Sequence, residues 1–179
     1  DASEFAGRDL PGVDFSGALS DPSAAQVHSV RESVLFTYSG ISTNDAETIG
    51  FVASVKAEGG NPLTAMAESG RTPDLSKRGS LRTVFDGRYK FTRYFSPMQR
   101  NLPTTVDDLY RFNDVELYDL QTDPREMTNL AAVPGENEEL VMSMSAKLEA
   151  VIVREIGVDD GREMPHMPSV EWHLEMIDL

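Results

Sequence analysis

Leu81-Arg82-Thr83-Val84-Phe85-Asp86-Gly87-Arg88-Tyr89-Lys90-Phe91-Thr92-Arg93-Tyr94-Phe95 sets two β-branched and aromatic runs on either side of an Asp-Gly pair. Two strand-like runs joined by so short a link read as a β-hairpin, because Gly supplies the positive φ that a tight turn demands. Two registers are open. A two-residue Asp86-Gly87 loop sets Arg82 beside Phe91 on one face. A three-residue loop with Gly87 left-handed aligns Leu81, Thr83 and Phe85 with Tyr89 and Phe91. The second gives one largely apolar face and is preferred. It places Arg82 and Lys90, with Arg88 in the turn, on a solvated face, where such charges usually lie.

Further strands flank the hairpin. Ser33-Val34-Leu35-Phe36-Thr37-Tyr38, bounded by Gly40, has strand composition, and so does Glu116-Leu117-Tyr118-Asp119-Leu120 before the turn-forming Asp123-Pro124 pair. After Pro134-Gly135, the apolar residues Leu140, Val141, Met144, Leu148, Val151 and Ile152 recur at three- and four-residue spacing until Gly157. That spacing predicts an amphipathic helix of about five turns whose Met142 and Met144 fill the core. The expected fold class is α+β: a small antiparallel β-sheet packed by one long C-terminal helix.

The chain divides into four segments. Residues 1–39 read as a surface-hugging connector and a strand; residues 40–79 as a long irregular insertion with a weak helical patch at Ile49-Gly50-Phe51-Val52-Ala53-Ser54-Val55-Lys56. A connection of that length is either a flexible insertion or a lid or rim over a pocket built elsewhere. Residues 80–157 hold the hairpin, a further strand and the helix. The last, 158–179, carries six acids against Arg162 alone, with Pro165, Pro168 and Trp172 between them, and reads as an acidic extended strap over a larger body.

Composition excludes several function classes. With 30 acidic and 16 basic residues among 179, the net charge is −14, so nucleic acid is not an expected partner. Cysteine is absent, which removes disulfides, thiolate metal sites and thiol nucleophiles within the chain. No run approaches the roughly 18 apolar residues of a membrane span, so no membrane contact is expected. The opening Asp1-Ala2-Ser3-Glu4-Phe5 lacks an initiator Met and a signal pattern, as in a chain processed or cut from something longer.

The chemistry-bearing residues do not form a known constellation. His28, His166 and His173 have no His-x-x-x-His spacing, and Asp107-Asp108 and Asp159-Asp160 lack the alternating ligands of a calcium loop. Neither a Gly-x-Ser-x-Gly elbow nor a glycine-rich phosphate loop is present. The segment is therefore expected to have no catalytic residues, no metal site and no cofactor of its own.

Four segments, in order, resemble the C-terminal portion of a sulfatase, an arylsulfatase-like member of the alkaline phosphatase superfamily. Asp9-Leu10-Pro11-Gly12-Val13-Asp14-Phe15-Ser16-Gly17 resembles the family's LPG segment, and the strand from Arg31 to Tyr38 follows as it does there. Leu81-Arg82-Thr83-Val84 with Gly87-Arg88-Tyr89-Lys90-Phe91 resembles its VR…GxYK hairpin. Glu116-Leu117-Tyr118-Asp119-Leu120-Gln121-Thr122-Asp123-Pro124-Arg125-Glu126-Met127-Thr128-Asn129-Leu130 resembles its ELYDLxxDPxExxNL signature.

The resemblance implies the C-terminal subdomain of an alkaline-phosphatase-like α/β fold, packed on an N-terminal sulfatase catalytic domain. It implies a parent that is a sulfuric ester hydrolase acting on a small sulfate ester with formylglycine and Ca²⁺, both supplied outside this segment, and an exported or periplasmic location. Ser20-Asp21-Pro22-Ser23-Ala24 approaches the formylglycine motif but ends in Ala where Arg is needed, and it lies downstream of the LPG segment. The strand ending at Tyr38 reaches the pocket mouth in the family, which makes Tyr38 and the 40–79 segment candidates for substrate contact. The same superfamily includes phosphate and phosphonate ester hydrolases, and a non-enzymatic binding or accessory module is the other reading.

Overall fold

The structure, a computed structural model, describes residues 12–40, 45–72, 74–97 and 103–157. The strands are β1 (Val34–Ser39), β2 (Ser80–Phe85), β3 (Tyr89–Phe95) and β4 (Asn113–Asp119). The helices are α1 (Ser16–Ser20), α2 (Ala46–Ala57), α3 (Pro62–Ser69), α4 (Val106–Phe112) and α5 (Glu138–Glu155). Four antiparallel strands in the order β1-β2-β3-β4 form one sheet, and α5 packs on it, so the class is α+β as the sequence predicts.

The hairpin register differs from both alternatives read from the sequence. Phe85 pairs with Lys90, Val84 with Phe91 and Arg82 with Arg93, while Asp86 N donates to Tyr89 O at 3.2 Å. The central turn residues are thus Gly87 and Arg88. Gly87 has φ +92° and Arg88 does not share the positive φ, the pattern of a type II′ turn with Gly at its first central position. Asp86 accepts from Arg88 N and Tyr89 N, so it flanks the turn rather than forming its centre.

Register decides which residues are buried. The face under α5 carries Leu35, Val84, Phe91, Val115 and Leu117, which meet Val141, Met144, Leu148, Val151 and Ile152 of the helix. Leu81, Thr83 and Phe85, expected on the covered face, lie on the other one. Arg82 and Arg93, which face each other across β2 and β3, are 2% and 5% exposed, so Arg82 is not on a solvated surface and does not share a face with Lys90. Both guanidinium groups stand over the Phe95 ring, at 5.2 and 5.6 Å, where its π face favours a cation.

The segment read as irregular between 40 and 79 contains two capped helices. Asp45 accepts from Glu47 N and Thr48 N to start α2. Asn61 does the same for α3 with Pro62 at its first position, and Gly70 closes that helix at φ +65°. Helix α4, which the sequence reading did not identify, begins at the Thr105 cap and passes directly into β4. There Asn113 Nδ2 donates to Leu109 O at 2.8 Å. The tail at 158–179, with His166, His173, Asp159 and Asp160, lies outside the described residues, as do Asp9, Leu10 and Pro11 of the LPG segment.

Candidate functional site

The polar residues of the sequence signatures converge at the end of the sheet where the hairpin turns. Arg88 Nε reaches Asp119 Oδ1 at 3.1 Å and its Nη2 reaches Oδ2 at 2.7 Å, a two-pronged ion pair between the β2–β3 turn and the end of β4. Arg88 holds the Asp119 carboxyl at about 2, against 3.8 ordinarily, outweighing burial, and Gln121 N assists. Lys90 pairs with Glu126 and stands 5.5 Å over the Tyr118 ring. On the α5 side of the same turn, Lys147 pairs with Asp86. Burial alone would raise the Asp86 carboxyl; Lys147 and the Tyr89 and Arg88 amides bring it below its ordinary value.

Asn129 continues this arrangement along β4. Its Oδ1 accepts from Leu117 N and Ala131 N, both at 2.9 Å, and its Nδ2 donates to Val115 O at 3.0 Å. The side chain thereby serves β4 as a neighbouring strand would. Leu130 N donates to Leu117 O at 2.8 Å beside it, and Tyr110 Oη donates to Ala131 O at 2.9 Å. Each of these polar groups is consumed within the fold. Together they can lock a turn, a strand end and a loop, and they present no nucleophile beside a base.

Tyr38 lies on the sheet face away from α5, 46% exposed, in a cross-strand row with Leu81, Tyr94 and Asp114. Tyr94 Oη donates to Glu116 Oε2 at 3.0 Å; burial first, then the carboxylate, pushes the phenol up to about 12, so it stays protonated. β1 ends one residue after Tyr38, at Ser39, and α2 and α3 are the next elements in the chain. Asp45 joins the start of α2 to the chain after α3: it accepts from Asp74 N at 3.0 Å and Thr48 Oγ1 at 2.8 Å, which hold its carboxyl well below the usual range, and it faces Lys77 Nζ at 3.5 Å.

Two clefts lie on the connector side of α5. One of about 710 Å³ is lined by Val13, Val30, Arg31, Glu32, Arg154 and Glu155, and the Glu155 carboxylate binds Arg31 and Arg154, each at 3.0 Å. The other, about 420 Å³, is lined by His28, Glu32, Ser33, Asp86, Lys147 and Arg154. In the first, Glu155 holds both arginines, and in the second Asp86 holds Lys147. Ser23 Oγ donates to Asp21 Oδ1 at 2.6 Å within the Ser20–Ala24 stretch, a local turn contact. Asp108 is engaged with Thr105 at the start of α4. Among the described residues, no three His, Asp or Glu side chains gather in one place as metal ligands. No helix among them is long and apolar enough to cross a membrane.

No family model matches the chain, and no curated protein matches it.

Proposed function

We propose that this chain is the C-terminal part of a sulfatase-type hydrolase that cleaves sulfate esters. In this reading it is the closing subdomain of an alkaline-phosphatase-like fold and buttresses the catalytic domain with no catalytic residues of its own. One observation supports the reading: two segments that carry the resemblance bond to one another. Arg88 and Lys90 of the GxYK hairpin pair with Asp119 and Glu126 of the ELYDLxxDPxE signature, and Asn129 of its NL end binds the β4 backbone. A signature whose polar residues bind each other specifies a scaffold. The formylglycine and Ca²⁺ chemistry belongs to the catalytic domain, and the rim role falls to the α2–α3 pair that follows β1.

The test is hydrolysis of chromogenic aryl sulfate, phosphate and phosphonate esters by the parent protein and by the 179-residue chain alone. The reading expects sulfate release by the parent and none by the chain. Preference of the parent for phosphate or phosphonate favours the sister hydrolases. Turnover by the isolated chain overturns the scaffold reading.

A further inference from the structure

The sheet face away from α5 is divided in two. Toward β3 and β4 it is polar and bonded: Thr83 Oγ1 lies 2.9 Å from Thr92 Oγ1, Tyr94 binds Glu116, and Lys90 pairs with Glu126. Along β1, the outer strand, Val34, Phe36 and Tyr38 are 56%, 58% and 46% exposed. Among the described residues, β1 pairs with β2 alone. It holds no charged residue and no proline, the side chains by which folded proteins keep a strand edge from pairing.

The ladder fixes which backbone groups of β1 face outward. Gly40 N donates to Gly79 O at 2.9 Å and Asp86 N to Tyr89 O at 3.2 Å. Counted along the register, both bonds turn the N–H and C=O of Val34, Phe36 and Tyr38 toward β2, so Leu35 and Thr37 point theirs away from it. That spacing is its own complement. In an antiparallel pair of β1 strands centred on Phe36, Leu35 of one copy stands opposite Thr37 of the other, and their N–H and C=O groups meet on either side of the axis. Phe36 then meets Phe36, and Val34 meets Tyr38, at the closer positions where Cα atoms lie about 4.5 Å apart. The apolar row continues on one face and both α5 helices stay on the other. Charge agrees with this pairing. No charged residue of β1 meets its copy, and Glu32, exposed and without an ion pair among the described residues, falls opposite Gly40 of the second copy. Gly40 pairs with Gly79, next to the cations Lys77 and Arg78.

We propose that two copies of this chain join edge to edge through β1, about a two-fold axis at Phe36, making one continuous antiparallel sheet of their two four-stranded ones. The surface covered is on the order of 1,000 Å² in total, the size of a transient rather than an obligate interface. The net charge of −14 on each copy opposes the approach. The association is therefore weak, depends on concentration and is strengthened by salt. The proposal is independent of the sulfatase reading, since its test needs no turnover.

The test is sedimentation of the 179-residue chain at rising micromolar concentration in low and high salt. The expected result is a monomer–dimer equilibrium that salt shifts toward the dimer. Phe36→Lys sets two like charges together on the axis and should weaken the dimer by about tenfold or more, as should Phe36→Glu. Mixed, these two variants should form a heterodimer. Cysteine placement tests the register, since the chain has no cysteine of its own. Under oxidation Phe36→Cys should cross-link to itself, and Val34→Cys should cross-link to Tyr38→Cys in preference to itself. Val153→Cys, on the exposed side of α5, should stay monomeric. A chain that remains monomeric at every concentration and salt overturns the proposal. So does a dimer that neither Phe36→Lys nor Phe36→Glu weakens, and so does cross-linking as fast at Val153→Cys as at Phe36→Cys.

Discussion

Arg88 and Asp119, 31 positions apart, meet in a two-pronged ion pair at 3.1 and 2.7 Å that ties the hairpin turn to the last residue of β4. The carboxyl is held at about 2, below its ordinary 3.8, so across that interval the folded chain binds fewer protons than the unfolded one. The contribution is complete above 3.8 and is lost as pH falls through about 2. Melting points of the native chain and of Asp119→Asn, measured from pH 6 downward, should differ most at the upper end and converge toward pH 2. A difference that stays constant with pH contradicts this role for the pair.

Gly87→Val should destabilise the chain by more than about 1 kcal/mol, because φ +92° strains a β-branched residue. The substitution also brings its Cβ into Val27 Cγ1 and within 3.2 Å of His28 Cε1. An unchanged melting midpoint would mean that the connector yields and the turn tolerates a side chain.

Asn129→Ala removes three hydrogen bonds to the backbone of β4 and its adjoining loop. At a net contribution of about 0.5–1.5 kcal/mol per bond, the expected loss is about 1.5–4.5 kcal/mol in denaturant unfolding. Asn129→Asp keeps the acceptor for Leu117 N and Ala131 N and loses only the donor to Val115 O, so it should fall between the two.

Asp45→Ala should loosen the α2–α3 unit without unfolding the sheet. Its carboxylate starts α2 and holds Asp74 N and Lys77 from the far side of the helical pair. Hydrogen exchange at Glu47, Thr48 and Asp74 should accelerate severalfold, while β3 and the buried side of α5 keep their protection. Equal acceleration in β3 would show that the helical pair and the sheet unfold as one unit.

The elements that bury a regular stripe were legible. The α5 spacing of Leu140, Met144, Leu148 and Val151 is that of a helix covering a sheet, and three of these four are fully buried. Of the helices between 40 and 79, only the middle of α2 was legible, as the patch at Ile49–Lys56; its start and all of α3 were not, because Thr48 and Met66 are the residues the two helices bury and so little burial leaves no apolar period. Their end signals were nonetheless present: Asp45, then Asn61-Pro62 and Gly70. The hairpin was legible but its register was not, since Asp86 flanks the turn by accepting two amides, a role that Asp-Gly composition does not distinguish from a central one. Arg82 was placed outside by its charge alone. Its burial follows from the pairing with Arg93 and the Phe95 ring beneath both, which belong to tertiary structure.

For the candidate site, Tyr38 was rightly read near the end of its strand, while the partnerships of Arg88, Lys90 and Asn129 could not be read before the register was known. The signature residues were visible in sequence; their mutual bonding was not.

The central claim is that these signature residues hold a scaffold rather than act on a substrate. It is tested most directly by Arg88→Ala in the parent protein, assayed for release of sulfate from a chromogenic aryl sulfate alongside its melting point. The account predicts a lower melting point with kcat/KM within about twofold of the unsubstituted enzyme wherever both are folded. A fall in kcat on the order of a hundredfold, at an unchanged melting point, would place Arg88 in the chemistry and contradict the account.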